Sequence, residues 1–238
     1  MAHSGEGSTL PRGGTTPDLR LATDTPARMP STDPDPLPAS PGQGGRGGLP
    51  GDRTQAILEA AKQVGSLLKR HGHRFAVAGS VAVYAHGGNN NLRHDADFCV
   101  LREDADAVTG TLREAGLDVR VPPEDWLVKT SCFGQDIDLI FELAHHPVTA
   151  ELLARAQELP VDSVHMPVLA PTDLLWSLLA AFSEHHCDFG AALPVARVLR
   201  EKVDWDDVRQ RCGQEPMPAA FLFLLERLNI IAPTKEPS

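Results

Sequence analysis

The first fifty residues hold nine prolines and nine glycines with almost no large apolar side chain, and this confines any core to the rest of the 238-residue chain. Ordering a backbone costs roughly 1–2 kcal/mol per residue, and such a segment has too little apolar surface to offset it. Residues 1–51 are therefore expected to be a disordered leader, with the folded body running from about 52 to about 232. That length supports one sizeable core or two small ones. With 42% hydrophobic and 23% charged residues, the chain is globular in composition rather than fibrous.

The charge balance narrows the partners. Twenty-two basic against 32 acidic residues give a formal net charge of −10, which works against generic nucleic-acid binding by phosphate neutralisation. A single tyrosine and 5% aromatics leave no interleaved stacking platform for single strands. The longest apolar run, residues 75–85, is too short to cross a bilayer, and the N-terminus has no hydrophobic signal region. Cys99, Cys132, Cys187 and Cys212 lie far apart without CxxC spacing, which argues against a zinc ribbon and a disulfide scaffold. The expectation is a soluble cytoplasmic protein with reduced thiols and no membrane partner.

Within the body, apolar residues at helical spacing (Ile57, Ala61, Val64, Leu67, Leu68) predict a first helix closed by Gly72, with Asp52 or Thr54 as its cap. A buried strand over 74–78 runs into Gly79-Ser80 and a short helix over 81–85. Strands over 95–100, 117–121, 126–132 and 137–141 follow, with a helix over 103–115. From 149 onward the pattern turns helical, over 149–158, 173–184, 191–199, 205–211 and 219–228, with a short strand over 164–169 and Thr172 placed to cap the second of these helices. The predicted class is α/β: a mixed-sheet core over 52–147 and a helical C-terminal region over 148–232.

Three acids stand out. In Asp95-Ala96-Asp97-Phe98 the period of two puts both carboxylates on one strand face, about 7 Å apart along it. Asp138 lies between apolar neighbours in Ile137-Asp138-Leu139. Carboxylates gathered on one sheet face repel, and a divalent cation or a retained proton relieves them; oxygen-rich sets suit Mg²⁺ and Mn²⁺. The alternative is that they are strand-end acids facing water. Gly79-Ser80, where a strand passes into a helix, can aim backbone N–H groups and a hydroxyl at a phosphate. Fourteen residues separate that turn from the Asp-x-Asp pair.

The segments AVAGSVAVYAHGG, HDADFCV and DIDLI, taken in that order, resemble the DNA polymerase beta-like nucleotidyltransferase superfamily over about residues 52–145. The nearest likeness is to small bacterial nucleotidyltransferases, including abortive-infection and toxin–antitoxin types. The resemblance implies transfer of a nucleoside monophosphate from a nucleoside triphosphate to a hydroxyl, with pyrophosphate released. Gly79 and Ser80 would hold the triphosphate, Asp95 and Asp97 would ligate Mg²⁺ (or Mn²⁺), and Asp138 would assist the metal or take the hydroxyl proton. The acceptor it leaves open is a small molecule, a protein or tRNA, and an antitoxin partner is possible. For an RNA acceptor, Arg197, Arg200, Arg209 and Arg211 would be the basic cluster.

One departure from the family pattern concerns charge. Toxin-type relatives place a lysine in the helix after the last strand, and here DLLWSLLAAFSEHHCD has no lysine or arginine. Lys129, Arg93 or Lys202 would have to supply the cation facing the triphosphate, Lys129 being taken as nucleotide-binding. Without turnover the same fold would serve as an inert binding or regulatory module. Asp136, beside the less apolar Gln135, ranks behind Asp138, and Asp188 is a further acid that could reach the cleft. His185-His186-Cys187-Asp188 reads as a helix end rather than a metal cluster, because adjacent helical residues point about 100° apart. His86 is read as a dipole partner at the end of its helix, and Asn89–Asn91 as a turn.

Overall fold

Arg53–Arg70 coil into helix α1 because apolar residues recur every three or four positions, and Ile57, Ala61, Val64, Leu67 and Leu68 are all buried. The computed structural model describes residues 53–88, 92, 95–212 and 214–233. The leader, Asp52, the Asn89–Asn91 loop and Arg93 lie outside them.

After α1 come β1 (Phe75–Ala78), α2 (Gly79–Ala85), β2 (Ala96–Val100) and α3 (Ala105–Glu114). Then follow β3 (Val119–Arg120), β4 (Leu127–Cys132), β5 (Gln135–Ile140) and a small hairpin of β6 (Glu142–Leu143) and β7 (His146–Pro147). The chain continues through α4 (Ala150–Ala154), β8 (Gln157–Val161), β9 (Val164–Val168), α5 (Pro171–Ala180), α6 (Phe189–Leu199), α7 (Trp205–Cys212) and α8 (Pro216–Arg227). Seven strands form one mixed sheet in the order β3-β4-β5-β2-β1-β9-β8, with β2–β5 and β1–β9 parallel and the other pairs antiparallel. The expected class therefore stands: a mixed sheet with helices packed on it and a helical C-terminal region. No described helix is long and apolar enough to cross a membrane.

Helix α1 lies close against the sheet. A Cβ on Gly65 would sit 2.7 Å from Met166 Sδ in β9 and 3.5 Å from the Phe98 ring in β2. Phe98 thus faces α1, and by strand alternation Asp97 faces the other side.

Three expectations fail in the C-terminal region. The helix predicted over 149–158 stops at Ala154, and 157–161 become the edge strand β8. Pro160 would break a helix interior, whereas an edge strand tolerates it. Asp162, with φ 54°, makes the tight turn into β9. The helix predicted over 173–184 runs over Pro171–Ala180 instead. Beyond it Ser183 and His186 exchange backbone hydrogen bonds in a turn, so His185 and His186 are exposed turn residues. Thr172 does not cap α5. Ala170 takes that position, and the Thr172 hydroxyl accepts a 2.9 Å bond from the Asp204 N–H.

The start of α5 is tied to the helices around it by one carboxylate. Asp173 is 1% exposed and accepts two 2.9 Å bonds from Arg155 and one of 3.0 Å from Arg211. Arg211 also lies over the Trp176 ring, 4.0 Å from its centroid. Removing the charge leaves the Arg155 guanidinium without its carboxylate and Arg211 with Asp207 alone. Arg155 keeps half its surface in water, so the cost falls at the low end for breaking a buried pair, about 3 kcal/mol. Asp173→Asn should lower the melting temperature by roughly 6–12 °C in a thermal melt. A change within a degree would mean that the pairing adds nothing to stability.

Candidate active site

Strand register brings the site together. Ala78 pairs with Asp97, Asp97 with Asp138, Asp138 with Lys129, and Lys129 with Arg120. One row across β1, β2, β5, β4 and β3 therefore carries two adjacent carboxylates flanked by the Gly79 turn on one side and two basic residues on the other. Residues opposite each other across strands point to the same face.

Gly79 is where the row meets α2. Its φ is +57°, a left-handed conformation that side chains rarely adopt, and a Cβ there would lie 1.9 Å from Asp97 Oδ2. The missing side chain is what lets the Asp97 carboxylate lie against the strand-to-helix turn. The next residue, Ser80, has its Oγ buried without a hydrogen-bond partner. A buried hydroxyl left unpaired costs free energy, and an incoming acceptor group would relieve it.

The acids are not equivalent. Burial, then the charges of Asp95 and Asp138, push the Asp97 carboxyl up to about 7, with Lys129 opposing. Asp138 is also raised, mainly by burial, against the pull of Lys129, whose Nζ donates to both of its oxygens at 3.0 and 2.7 Å. Asp95 is half-buried just before β2, and its charge adds to the rise at Asp138. Three carboxylates face one ammonium, an excess of negative charge that suits a hard divalent cation with oxygen ligands. Among the described residues no three His, Cys, Asp or Glu side chains close on a single point, and Lys129 stands against Asp138 instead. In donor chemistry Asp95, Asp97 and Asp138 fit Mg²⁺ or Mn²⁺.

Other residues singled out from the sequence lie elsewhere. Lys202 Nζ donates to the His86 carbonyl at 2.7 Å, a fixed interhelical tie rather than a cation in the cleft. His86 is buried, its Nε2 lies 2.9 Å from the Leu169 carbonyl, and burial lowers its pKa, so it is a neutral packing residue. Asp136 is exposed and 3.8 Å from Arg120. Asp188 caps α6, accepting a 2.9 Å bond from the Ala191 N–H.

Of the three acids, Asp97 opens onto a cavity of about 570 Å³ that the sequence did not disclose. Beyond Gly79, Ser80 and Asp97 its wall includes Ile140, Leu143, Leu174, Ser177, Leu178 and Val195, from β5, β6, α5 and α6. The signal available was α5 itself: DLLWSLLA is apolar on nearly every side, as for a helix covered on more than one face.

A family model described as uncharacterised nucleotidyltransferase matches residues 51–231. The chain belongs to this nucleotidyltransferase family. No curated protein matches it significantly. Its fold is similar to that of ANT(2'')-Ia in complex with adenylyl-2''-tobramycin, at 13% identity and a TM-score of 0.50 over 70% of this chain and 97% of that one. The solution structure of the antibiotic-resistance factor ANT(2'')-Ia is similar at 12% identity and the same TM-score, 0.50, over 72% and 94%. These matches reach the level of nucleotidyltransferase and carry the likeness to toxin-type enzymes no further.

Proposed function

We propose that this nucleotidyltransferase moves a nucleoside monophosphate from a nucleoside triphosphate to a hydroxyl acceptor, releasing pyrophosphate, at the turn and carboxylates described above. The observation that carries the reading is the pairing of Asp97 with Asp138 on adjacent strands, with the Asp97 carboxylate lying against Gly79. Mg²⁺ or Mn²⁺ held by Asp95, Asp97 and Asp138 would neutralise the phosphate charge in flight. The Ser80 hydroxyl and the turn's backbone N–H groups donate to triphosphate oxygens. Asp138, kept basic enough by its buried position yet oriented by Lys129, receives the acceptor's proton. Lys129 supplies the positive charge that α5 lacks. The cytoplasm, where nucleotides and Mg²⁺ are abundant, is the expected setting.

A small molecule is the acceptor class we favour. Arg200, Arg209 and Arg211 are each paired with an acid, so three of the four arginines first considered for RNA are already neutralised. The product held by ANT(2'')-Ia, adenylyl-2''-tobramycin, is itself a nucleotidylated small molecule.

A melt of the full chain with each of four nucleoside triphosphates, with and without Mg²⁺, tests the donor half. A nucleotide at 100 times its dissociation constant adds about 2.7 kcal/mol, a rise of roughly 5–10 °C. A Mg²⁺-dependent rise with at least one nucleotide is expected. No rise with any of the four would favour an inert module over an enzyme.

A further inference from the structure

We infer that the acceptor is an uncharged alcohol or phenol whose hydroxyl is carried on a largely hydrocarbon body, an inference that rests on the nucleotidyl-transfer reading above. Its basis is the cavity of about 570 Å³ that opens directly from Gly79, Ser80 and Asp97. The size is that of a small-molecule site. Away from those three residues its wall is apolar but for Ser177: Ile140 from β5, Leu143 from β6, Leu174 and Leu178 from α5, and Val195 from α6.

Charge decides among acceptors. Among the described residues that line the cavity, Asp97 is the single charged side chain. A polycationic acceptor needs carboxylates spread along its amines, and none is there beyond the one the reaction uses. A nucleic-acid acceptor needs lysine or arginine against its phosphates, and the described lining has neither.

The donor's nucleobase is the competing occupant. A base edge carries several donors and acceptors that must be met when buried. Among the described lining residues the hydroxyls are those of Ser80, beside the phosphate turn, and Ser177, whose proton is already donated to the Leu174 carbonyl at 2.9 Å. A base would face leucine and valine with its edge unpaired. A hydrocarbon or aromatic frame loses nothing there and gains from leaving water.

The cavity's charged end is also its reactive end, so an acceptor seated by its apolar body presents its hydroxyl to Asp97, which pairs across the strands with Asp138. The acceptor oxygen forms a bond to the α-phosphorus as the bond from that phosphorus to the bridging oxygen breaks. Pyrophosphate leaves with that electron pair, and the hydroxyl proton passes to Asp138.

The test uses the full chain with Mg²⁺ and a non-hydrolysable analogue of whichever nucleotide raises the melting temperature. Phenol, 4-ethylphenol and 4-butylphenol are titrated calorimetrically beside glycerol, tobramycin and tRNA. Affinity should tighten about fourfold per added methylene, with glycerol, tobramycin and tRNA far weaker. With the α-³²P-labelled nucleotide, label should appear on the 4-butylphenol hydroxyl. Val195→Phe, which narrows the cavity, should weaken 4-butylphenol binding at least about tenfold and keep the nucleotide-dependent rise. A flat chain-length series, or tighter binding of tobramycin or tRNA, overturns the acceptor class while leaving nucleotidyl transfer intact. Loss of the nucleotide rise in Val195→Phe, with the wild type retaining it, assigns the cavity to the base and overturns the inference. No nucleotide rise in the wild type removes the underlying reading and the inference with it. The wild-type titrations need no variant to fold.

Discussion

Replacing Asp97 by Asn is expected to reduce nucleotidyl transfer about a hundred- to a thousandfold while leaving the cation-free fold more stable at neutral and alkaline pH. The two effects have one cause. Asp97 lies on the shared row beside Asp138 and against Gly79, where the proposed transfer calls for an oxygen ligand. A preorganised electrostatic partner of this kind is worth two to three orders of magnitude in rate. The same position is costly without a cation, since burial and the neighbouring carboxylates Asp95 and Asp138 push Asp97 up to about 7.

The pH dependence follows in sign. In the unfolded chain the carboxyl loses its proton near pH 3.8, and in the fold it holds it to about 7. Between those values the native state binds more protons than the unfolded one, so stability falls as pH rises from about 4 to 7 and levels off above. At about 1.4 kcal/mol per unit the full span is on the order of 4 kcal/mol. Asn does not titrate, so melts in EDTA should show this fall in the wild type and lose most of it in Asp97→Asn. Equal pH profiles in the two proteins would mean that Asp97 ionises as freely as an exposed acid. Because a metal must displace the proton, apparent Mg²⁺ affinity should weaken about tenfold for each pH unit below 7 in the wild type.

The residues of the candidate site were legible because each carries a local signature. Asp95 and Asp97 alternate with apolar neighbours, Asp138 interrupts a buried run, and Gly79-Ser80 ends a strand that is buried at every position. Their juxtaposition was not legible, since register between β2 and β5 depends on contacts across forty residues that no local pattern records. Lys129 was singled out for a phosphate, and its cross-strand partner Asp138 emerged only with the β4–β5 pairing. Lys202 failed for the same reason in reverse: a lysine reads as a free cation until the fold supplies the His86 carbonyl. Strand β8 was missed because Ala150–Ala154 starts as a helix, and the hairpin turn at Asp162 shows its effect only once β9 pairs back. The apolar cavity was hidden most deeply, because Leu174, Leu178 and Val195 read as ordinary core residues of their helices.

Gly79→Ala should damage both stability and catalysis, and a double-mutant cycle separates its two causes. A non-glycine residue in the left-handed region costs about 1–2 kcal/mol wherever it sits. The second cost is specific to this site, because the new methyl would lie 1.9 Å from Asp97 Oδ2 and 3.0 Å from its carboxyl carbon. No such separation is tolerated, so the Asp97 carboxylate must swing away from the turn. Transfer should fall at least about a hundredfold, the loss expected when a single preorganised group is displaced. In an Asp97→Ala background the close contact is gone and only the backbone cost remains. Chemical denaturation should therefore show Gly79→Ala costing at least about 1 kcal/mol less in that background than in the wild type, a coupling within the range for residues in direct contact. Equal costs in both backgrounds would mean that the carboxylate does not lie against the turn, and the Asp97–Gly79 contact on which the site is built would have to be abandoned.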